Sequence, residues 1–417
     1  MKQINIYGGH TLSGTIKISG AKNSAVALIP ASILSDDIVN IDNVPNISDI
    51  DALNEILEFL GAKVSISNGI MAIDSKPIKN KEIPKEVSSK LRASYYFMSA
   101  LLGKYKHVEM YFPGGCRIGA RPIDQTLKGF EALGAKVIEE NNKFIIDAEE
   151  LKGGHVYLDM PSVGATINTM LVAAKANGLT IIENAAKEPE IVNVATFLNN
   201  MGAKITGAGT SEIRIKGVEK LKGCFTEVIP DRIETGTYII AGALLGDNLK
   251  IENIIPEHVE SLTLKLNEIG VKMDIGNNYI VVNKCENPKH INLKTLGYPG
   301  FPTDLQQPIT TLLTQCSGVS NLEETIYENR FQNVPFLNKM GANITINGKK
   351  IKIKGPTQLK GKKVKATDLR AGACLILAGL IAKGKTTITD IDHVLRGYEN
   401  IIEKLTSIGA KISLEEI

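Results

Sequence analysis

Six glycines at nearly even spacing constrain the fold of this chain more than anything else in it. Gly61, Gly134, Gly202, Gly270, Gly341 and Gly409 stand 73, 68, 68, 71 and 68 residues apart. Each follows the apolar residue that closes a helical run, and each is followed by Ala or Val and then a stretch rich in β-branched residues. A period of this length marks one supersecondary unit, here copied six times. A chain of 417 residues is too long for one ordinary core, so the reading is two domains of three units each.

The last copy shows the unit most clearly. Val364–Thr367 reads as a strand, and Asp368 is placed to cap a helix over 369–383, which Gly384 stops. A strand over 386–391, a loop over 392–397 and a second helix over 398–408 follow. Elsewhere the second helix leads into a hairpin, signalled by Asn68-Gly69, Gly276-Asn277-Asn278 and Asn347-Gly348. The unit is therefore β-α-β-α-β-β. In the sixth copy only one strand fits after Gly409, so the segment 3–7 is expected to supply its partner. That assigns residues 1–20 and 230–417 to one domain and 21–229 to the other, with no low-complexity linker between them.

Composition removes several function classes. Hydrophobic content of 43% with 22% charged residues is that of a globular chain. The longest apolar run, Ala371 to Ala382, is short of a membrane span, and Met1 to Asn5 begin no signal sequence. A cytoplasmic protein with no membrane partner is the expectation. Net charge +3 gives no footprint for nucleic acid. Five cysteines without a CxxC pair argue against a disulfide framework and a zinc site.

Polar chemistry collects where strands lead into helices, whose free N–H groups and partial positive charge favour anions. First-helix starts carry Lys22-Asn23, Arg92, Ser162-Val163-Gly164, Asp231-Arg232, Asp304 and Asp368 with Arg370. Second-helix loops carry Arg121, Glu188 and Glu190, His258, Arg330 and Arg396. Each aspartate alone reads as an N-cap and each arginine as a surface charge. Basic residues recurring at equivalent positions favour instead an anion-binding cleft between domains.

One insertion stands apart: Pro113-Gly114-Gly115-Cys116-Arg117-Ile118-Gly119-Ala120-Arg121-Pro122. A thiol among glycines and arginines is poised to lose its proton more easily than the ordinary ~8.5. Such a thiol can serve as a general acid, with Asp304 or Asp368 as the complementary base. A cysteine–histidine hydrolase has no histidine near Cys116 to support it, and there is no Walker A or dinucleotide fingerprint.

At these residues the sequence resembles the enolpyruvyl transferases. The ordered set Ile18-Ser19-Gly20-Ala21-Lys22-Asn23, Leu91-Arg92-Ala93-Ser94, Gly114-Gly115-Cys116 through Arg121-Pro122, and Ser162-Val163-Gly164-Ala165-Thr166 carries the resemblance. So do Pro230-Asp231-Arg232-Ile233-Glu234, Pro299-Gly300-Phe301-Pro302-Thr303-Asp304, Glu328-Asn329-Arg330-Phe331, Thr367-Asp368-Leu369-Arg370 and Arg396-Gly397-Tyr398. It is strongest to the branch whose acceptor is UDP-N-acetylglucosamine. The resemblance implies two inside-out α/β domains with pseudo-threefold symmetry and the substrates phosphoenolpyruvate and UDP-N-acetylglucosamine, with no cofactor and no metal. It implies Cys116 as the acid, Asp304 as the base, and Lys22 and Arg396 as catalytic cations. Lys22, Arg92, Arg121, Arg330, Arg370 and Arg396 would surround phosphoenolpyruvate. Asn23, Arg92, Arg121, Ser162, Val163, Gly164, Thr303, Asp304 and Ile326 would hold the sugar nucleotide. Thr126, Met160-Pro161 and Arg117 depart from the pattern of that branch and bear on nucleotide contact. The alternatives are the shikimate-pathway sister, which has no equivalent loop cysteine, a nucleic-acid-end-modifying protein of related repeats, and an inactive scaffold of the same fold.

Overall fold

The computed structural model describes residues 2–114 and 122–416. The six repeat glycines all adopt left-handed backbone, with φ between +91° and +109°. At each, the following Ala or Val donates its N–H to the carbonyl five residues back: Ala62 to Leu57, Ala135 to Phe130, Ala203 to Leu198, Val271 to Leu266, Ala342 to Leu337 and Ala410 to Leu405, at 2.9–3.0 Å. This is a Schellman closure, which needs a residue without Cβ at the turn and a small apolar one after it. The repeated phrase is thus a helix-terminating device.

Among the described residues the strands form six sheets, one per unit. Five share one order. A short leading strand runs parallel to the second strand, which pairs antiparallel with one arm of the closing hairpin. In one such sheet His155–Tyr157, Leu179–Glu183, Glu212–Lys216 and Lys204–Thr206 lie side by side. The second unit has three strands, with an isolated Ile83–Met110 bridge where its leading strand would be.

Two sheets take their leading strands from distant segments. Phe225–Glu227 pairs with Val39–Asp42, and Thr15–Lys17 with Leu249–Glu252. The sixth sheet is completed by Lys2–Tyr7, which sits antiparallel between Lys385–Thr389 and Lys411–Glu416. The described residues accordingly divide into one unit of 2–19 together with 230–416, and a second of 20–114 together with 122–229.

Inside each unit three helices pack on one another and the sheets lie outside them. They are Lys22–Ala31, Tyr96–Tyr105 and Val163–Ala173 in the unit of residues 20–229. Arg232–Leu245, Gln306–Leu313 and Leu369–Ile381 are their counterparts in the other. These helices are buried on nearly every face, and the polar residues they carry, such as Gln306, Gln307, Thr310 and Thr311, are buried with them. Leu375, Ala378 and Ala382 are fully buried. Glycine permits the tight fit: a Cβ at Gly372 would lie 2.2 Å from Val394. The second helix of each unit, such as Ser48–Leu60, keeps one face in solvent.

The sixth unit differs in detail from the sequence reading. Its first helix ends at Ile381 with Ala382 extended, so Gly384, at φ +90°, serves the turn into the next strand. Residues Asp392–Leu395 form a helical turn where a loop was expected. The second helix is Ile401–Ser407, shorter than 398–408. Tyr398 and Glu399 are held outside it by the side-chain bonds described below.

Candidate active site

In the unit of residues 20–229, Lys22 opens the helix Lys22–Ala31, and its Nζ lies 2.6 Å from Asp49 Oδ2. Asp49 stands in the first turn of Ser48–Leu60, so two helix starts meet through this pair. Asn23 follows Lys22 on the same turn. Arg92 begins the short helical turn Arg92–Tyr95 and stacks 5.7 Å from the Tyr95 ring. Ser162 is a true N-cap, its Oγ accepting the Ala165 N–H at 3.3 Å, with Val163 and Gly164 in the turn it caps. A Cβ on Gly164 would fall 1.9 Å from the Tyr95 hydroxyl, so this unit's helix starts converge with no room for a side chain there. Cys116 and Arg121 lie outside the described residues, as does Arg117. Thr126 is buried at 2% exposure, whereas Met160 is exposed.

The other unit concentrates charge more tightly. Asp304 lies in the turn Thr303–Leu305 ahead of Gln306–Leu313. Its Oδ1 accepts from Arg330 Nη2 at 2.7 Å and its Oδ2 from Arg370 Nη2 at 3.1 Å. Both arginines are buried, at 3% and 5% exposure. Burial pushes the Asp304 carboxyl up, but Arg370, Arg330 and Arg232 together hold it well below the usual carboxylate range.

The neighbouring aspartates do something else. Asp231 caps Arg232–Leu245 by accepting the Ile233 and Glu234 N–H groups at 2.8 and 2.9 Å. Asp368 caps Leu369–Ile381 through Arg370 and Ala371, and its other oxygen faces Gln307 at 3.4 Å. The capping reading therefore holds for these two. Asp368 is spent on capping and 3% exposed, whereas the Asp304 side chain is 26% exposed, so of these two candidate bases Asp304 is the one open to a substrate proton.

Arg370 is oriented from behind. Its Nη1 donates to the Tyr398 hydroxyl at 3.2 Å, which lies 2.9 Å from Thr237 Oγ1. Thr237 gives its own proton to the Ile233 carbonyl, so it accepts from Tyr398, and the lone pairs of Tyr398 are left for Arg370. In the sequence Tyr398 stands out only as part of a motif. Glu324 does not stand out there at all, yet it is fully buried and organises two expected substrate contacts. It accepts from Thr303 Oγ1 at 2.9 Å, and from the Ile326 and Tyr327 N–H groups at 2.8 and 3.2 Å. No local pattern distinguishes that glutamate from the many solvated ones; only burial does. Arg396 closes the turn Asp392–Leu395, two residues before Tyr398.

The described cysteines are poor nucleophiles. Burial pushes the Cys224 and Cys374 thiols up to about 11 and Cys316 up to about 12, and raises Cys285. Among the described residues no cluster of His, Cys, Asp or Glu has the arrangement of a metal site, and no helix is long and apolar enough to cross a membrane.

A carboxylate braced by guanidiniums at the starts of enclosed helices, in a fold of six such units, defines a class. The family model described as EPSP synthase (3-phosphoshikimate 1-carboxyvinyltransferase) matches residues 6–405, and the chain belongs to that family of enolpyruvyl transferases. Relatives named UDP-N-acetylglucosamine 1-carboxyvinyltransferase 2 match it end to end. The one from Geobacillus kaustophilus is 53% identical over 417 residues, covering 100% of this chain and 97% of its own length. That from Bacillus subtilis is 52% identical over 418 residues, with the same coverage. Among solved structures, the enolpyruvyl transferase NikO from Streptomyces tendae superposes with a TM-score of 0.90 at 26% identity, covering 99% of both chains. EPSP synthase from Acinetobacter baumannii superposes at 0.77 and 17% identity over 100% of both, a likeness of fold.

Proposed function

We infer that this chain transfers the enolpyruvyl group of phosphoenolpyruvate to the 3-hydroxyl of UDP-N-acetylglucosamine, releasing phosphate. The observation that carries the reading is full-length identity of 52–53% to relatives bearing that activity in their name. The Asp304–Arg330–Arg370 arrangement fits it, because phosphoenolpyruvate carries nearly three negative charges and forked guanidiniums suit its phosphate and carboxylate.

In this reading Cys116 gives a proton to the methylene carbon of phosphoenolpyruvate while the sugar 3-oxygen bonds to the adjacent carbon. Asp304 takes the hydroxyl proton. The tetrahedral ketal then loses a proton from its new methyl group and expels phosphate, restoring the double bond. Lys22, Arg92, Arg121, Arg330, Arg370 and Arg396 bind the phosphoenolpyruvate anion. Asn23, Arg92, Arg121, Ser162, Val163, Gly164, Thr303, Asp304 and Ile326 hold the sugar nucleotide. A carboxylate clasped by two guanidiniums is a weak base. An arriving trianion competes for Arg330 and Arg370, and Asp304 gains basicity as their bonds turn to substrate. The product would feed peptidoglycan synthesis in the cytoplasm, with the epoxide fosfomycin alkylating Cys116.

The test is to mix purified protein with both substrates and follow phosphate together with product mass. Phosphate plus a sugar nucleotide enlarged by an enolpyruvyl group supports the reading. Turnover with shikimate 3-phosphate instead assigns the chain to the sister activity. Silence with both acceptors makes it an inactive member of the fold.

A further inference from the structure

The enclosed helices of the unit of residues 20–229 have their C-terminal ends about 15 Å from the starts that carry Lys22, Arg92 and Ser162, given helices of ten or eleven residues. A cavity of about 410 Å³ opens there. Asp36 lies just beyond the end of the first helix, Lys104 in the last turn of the second, and Lys175 just beyond the third. Lys76 and Lys220 come from two further segments. Four ammoniums thus line one concave space with two carboxylates, Asp36 and Glu219.

Lysines near helix C-termini have an ordinary role, since they offset the dipole and satisfy the last carbonyls. Lys104 donates to the Ser35 carbonyl just past the end of the first helix, at 3.2 Å, whereas Lys175 bonds the Glu219 carbonyl, which belongs to no helix. That role leaves Lys76 and Lys220 unexplained, because neither forms an ion pair among the described residues. It also leaves Asp36 unexplained. Its side chain is 61% exposed, yet it lies 2.7 Å from Lys104, which is only 12% exposed. The Lys104 hydrogen bond lowers the Asp36 carboxyl against the effect of burial, and the charges of Lys220 and Lys175 act in the same direction. Burial meanwhile lowers the Lys175 ammonium, a cation short of compensation.

We propose that this cavity is a second anion site, for a small soluble phosphorylated molecule, and that Asp36 occupies it as a displaceable internal anion. The Asp36 side chain is 61% exposed although it is paired with Lys104, whereas Lys104 is only 12% exposed and the four lysines come from four separate segments. Lysine is a point charge suited to phosphate oxygens. The concave wall, floored by Leu34, Ile78 and Leu221, suits a compact ion better than a flat membrane surface. The proposal does not rest on the transferase reading.

Amine acylation read by mass spectrometry on the whole protein tests it, with inorganic pyrophosphate as probe and sodium chloride at matched ionic strength as control. Pyrophosphate should slow acylation of Lys76 and Lys220 at least threefold, while Lys411 is unaffected. Asp36→Asn should lower the pyrophosphate concentration needed by about threefold to tenfold, and Lys104→Gln should raise it by at least as much. Thermal melts establish that both variants fold. Absence of protection, equal protection by chloride, or an unchanged or weaker response in Asp36→Asn overturns the proposal. Protection by anionic phosphatidylglycerol vesicles but not by pyrophosphate overturns it in favour of a membrane contact.

Discussion

Arg330 and Arg370 each bond one oxygen of Asp304, and Tyr398 in turn holds Arg370. Tyr398→Phe removes only the hydroxyl that accepts from Arg370. Hydrogen bonds to charged groups contribute about 1.5–3 kcal/mol, so kcat/KM should fall about ten- to hundredfold with the melting temperature little changed. Steady-state kinetics beside a thermal melt checks this, and a loss under twofold would separate Tyr398 from the site. Alkylation gives a second prediction at this scale. With the other four thiols raised, labelling near neutral pH should fall on Cys116, and peptide mapping that finds Cys224 or Cys285 first would contradict it. Glu234 gives a third. It is 3% exposed, accepts from Lys404 at 2.6 Å and from the Ser19 N–H at 2.9 Å, and burial pushes its carboxyl up to about 7 against the pull of Lys404. A group raised on folding stabilises below its ordinary value, about 4.3, and that contribution is lost as pH rises through about 7. Stability from this residue should therefore decline between about pH 4.3 and 7, and Glu234→Gln should flatten the melting-temperature profile over that window.

At the scale of elements, the repeat glycines do conformational work that no other residue does cheaply. Gly202 has φ +103°, and nothing lies within 4 Å of the place a Cβ would take, so Gly202→Ala isolates the backbone cost. That cost is about 1–2 kcal/mol, readable as a shift of the denaturation midpoint with an unchanged slope. The helix ends also explain which sequence signals could be read. Asp231 and Asp368 announce themselves as caps because capping is local, decided by two or three N–H groups of the same turn. The helix Ile401–Ser407 starts later than its sequence suggests because Tyr398 and Glu399 are drawn to Arg370 and Ser19, partners 28 and 380 residues away. Propensity in a short window carries no trace of such contacts.

For the whole molecule, the N-terminal strand is structural. Lys2–Tyr7 lies in the middle of its sheet, bonded on both edges, with Ile4 and Ile6 fully buried. Each such side chain contributes about 1.5–3 kcal/mol, so deleting residues 1–7 should lower stability by at least about 3–6 kcal/mol. A calorimetric scan should then show the transition of that unit lost or moved far down in temperature. The sequence by itself determined the sixfold repeat, the helix stops, the β-α-β-α-β-β order and the family, because each is written in local spacing or in an ordered set of short motifs. It also placed Lys22, Arg92, Ser162, Asp304, Arg330 and Arg370 at helix starts. Only the tertiary structure decided that Asp304 is clasped by Arg330 and Arg370 while Asp231 and Asp368 are caps. It alone found Glu324 behind Thr303 and Ile326, and the lysine-lined cavity behind Asp36. Those outcomes depend on burial and on charges brought together from segments far apart in sequence, and neither is a property of any short stretch of chain.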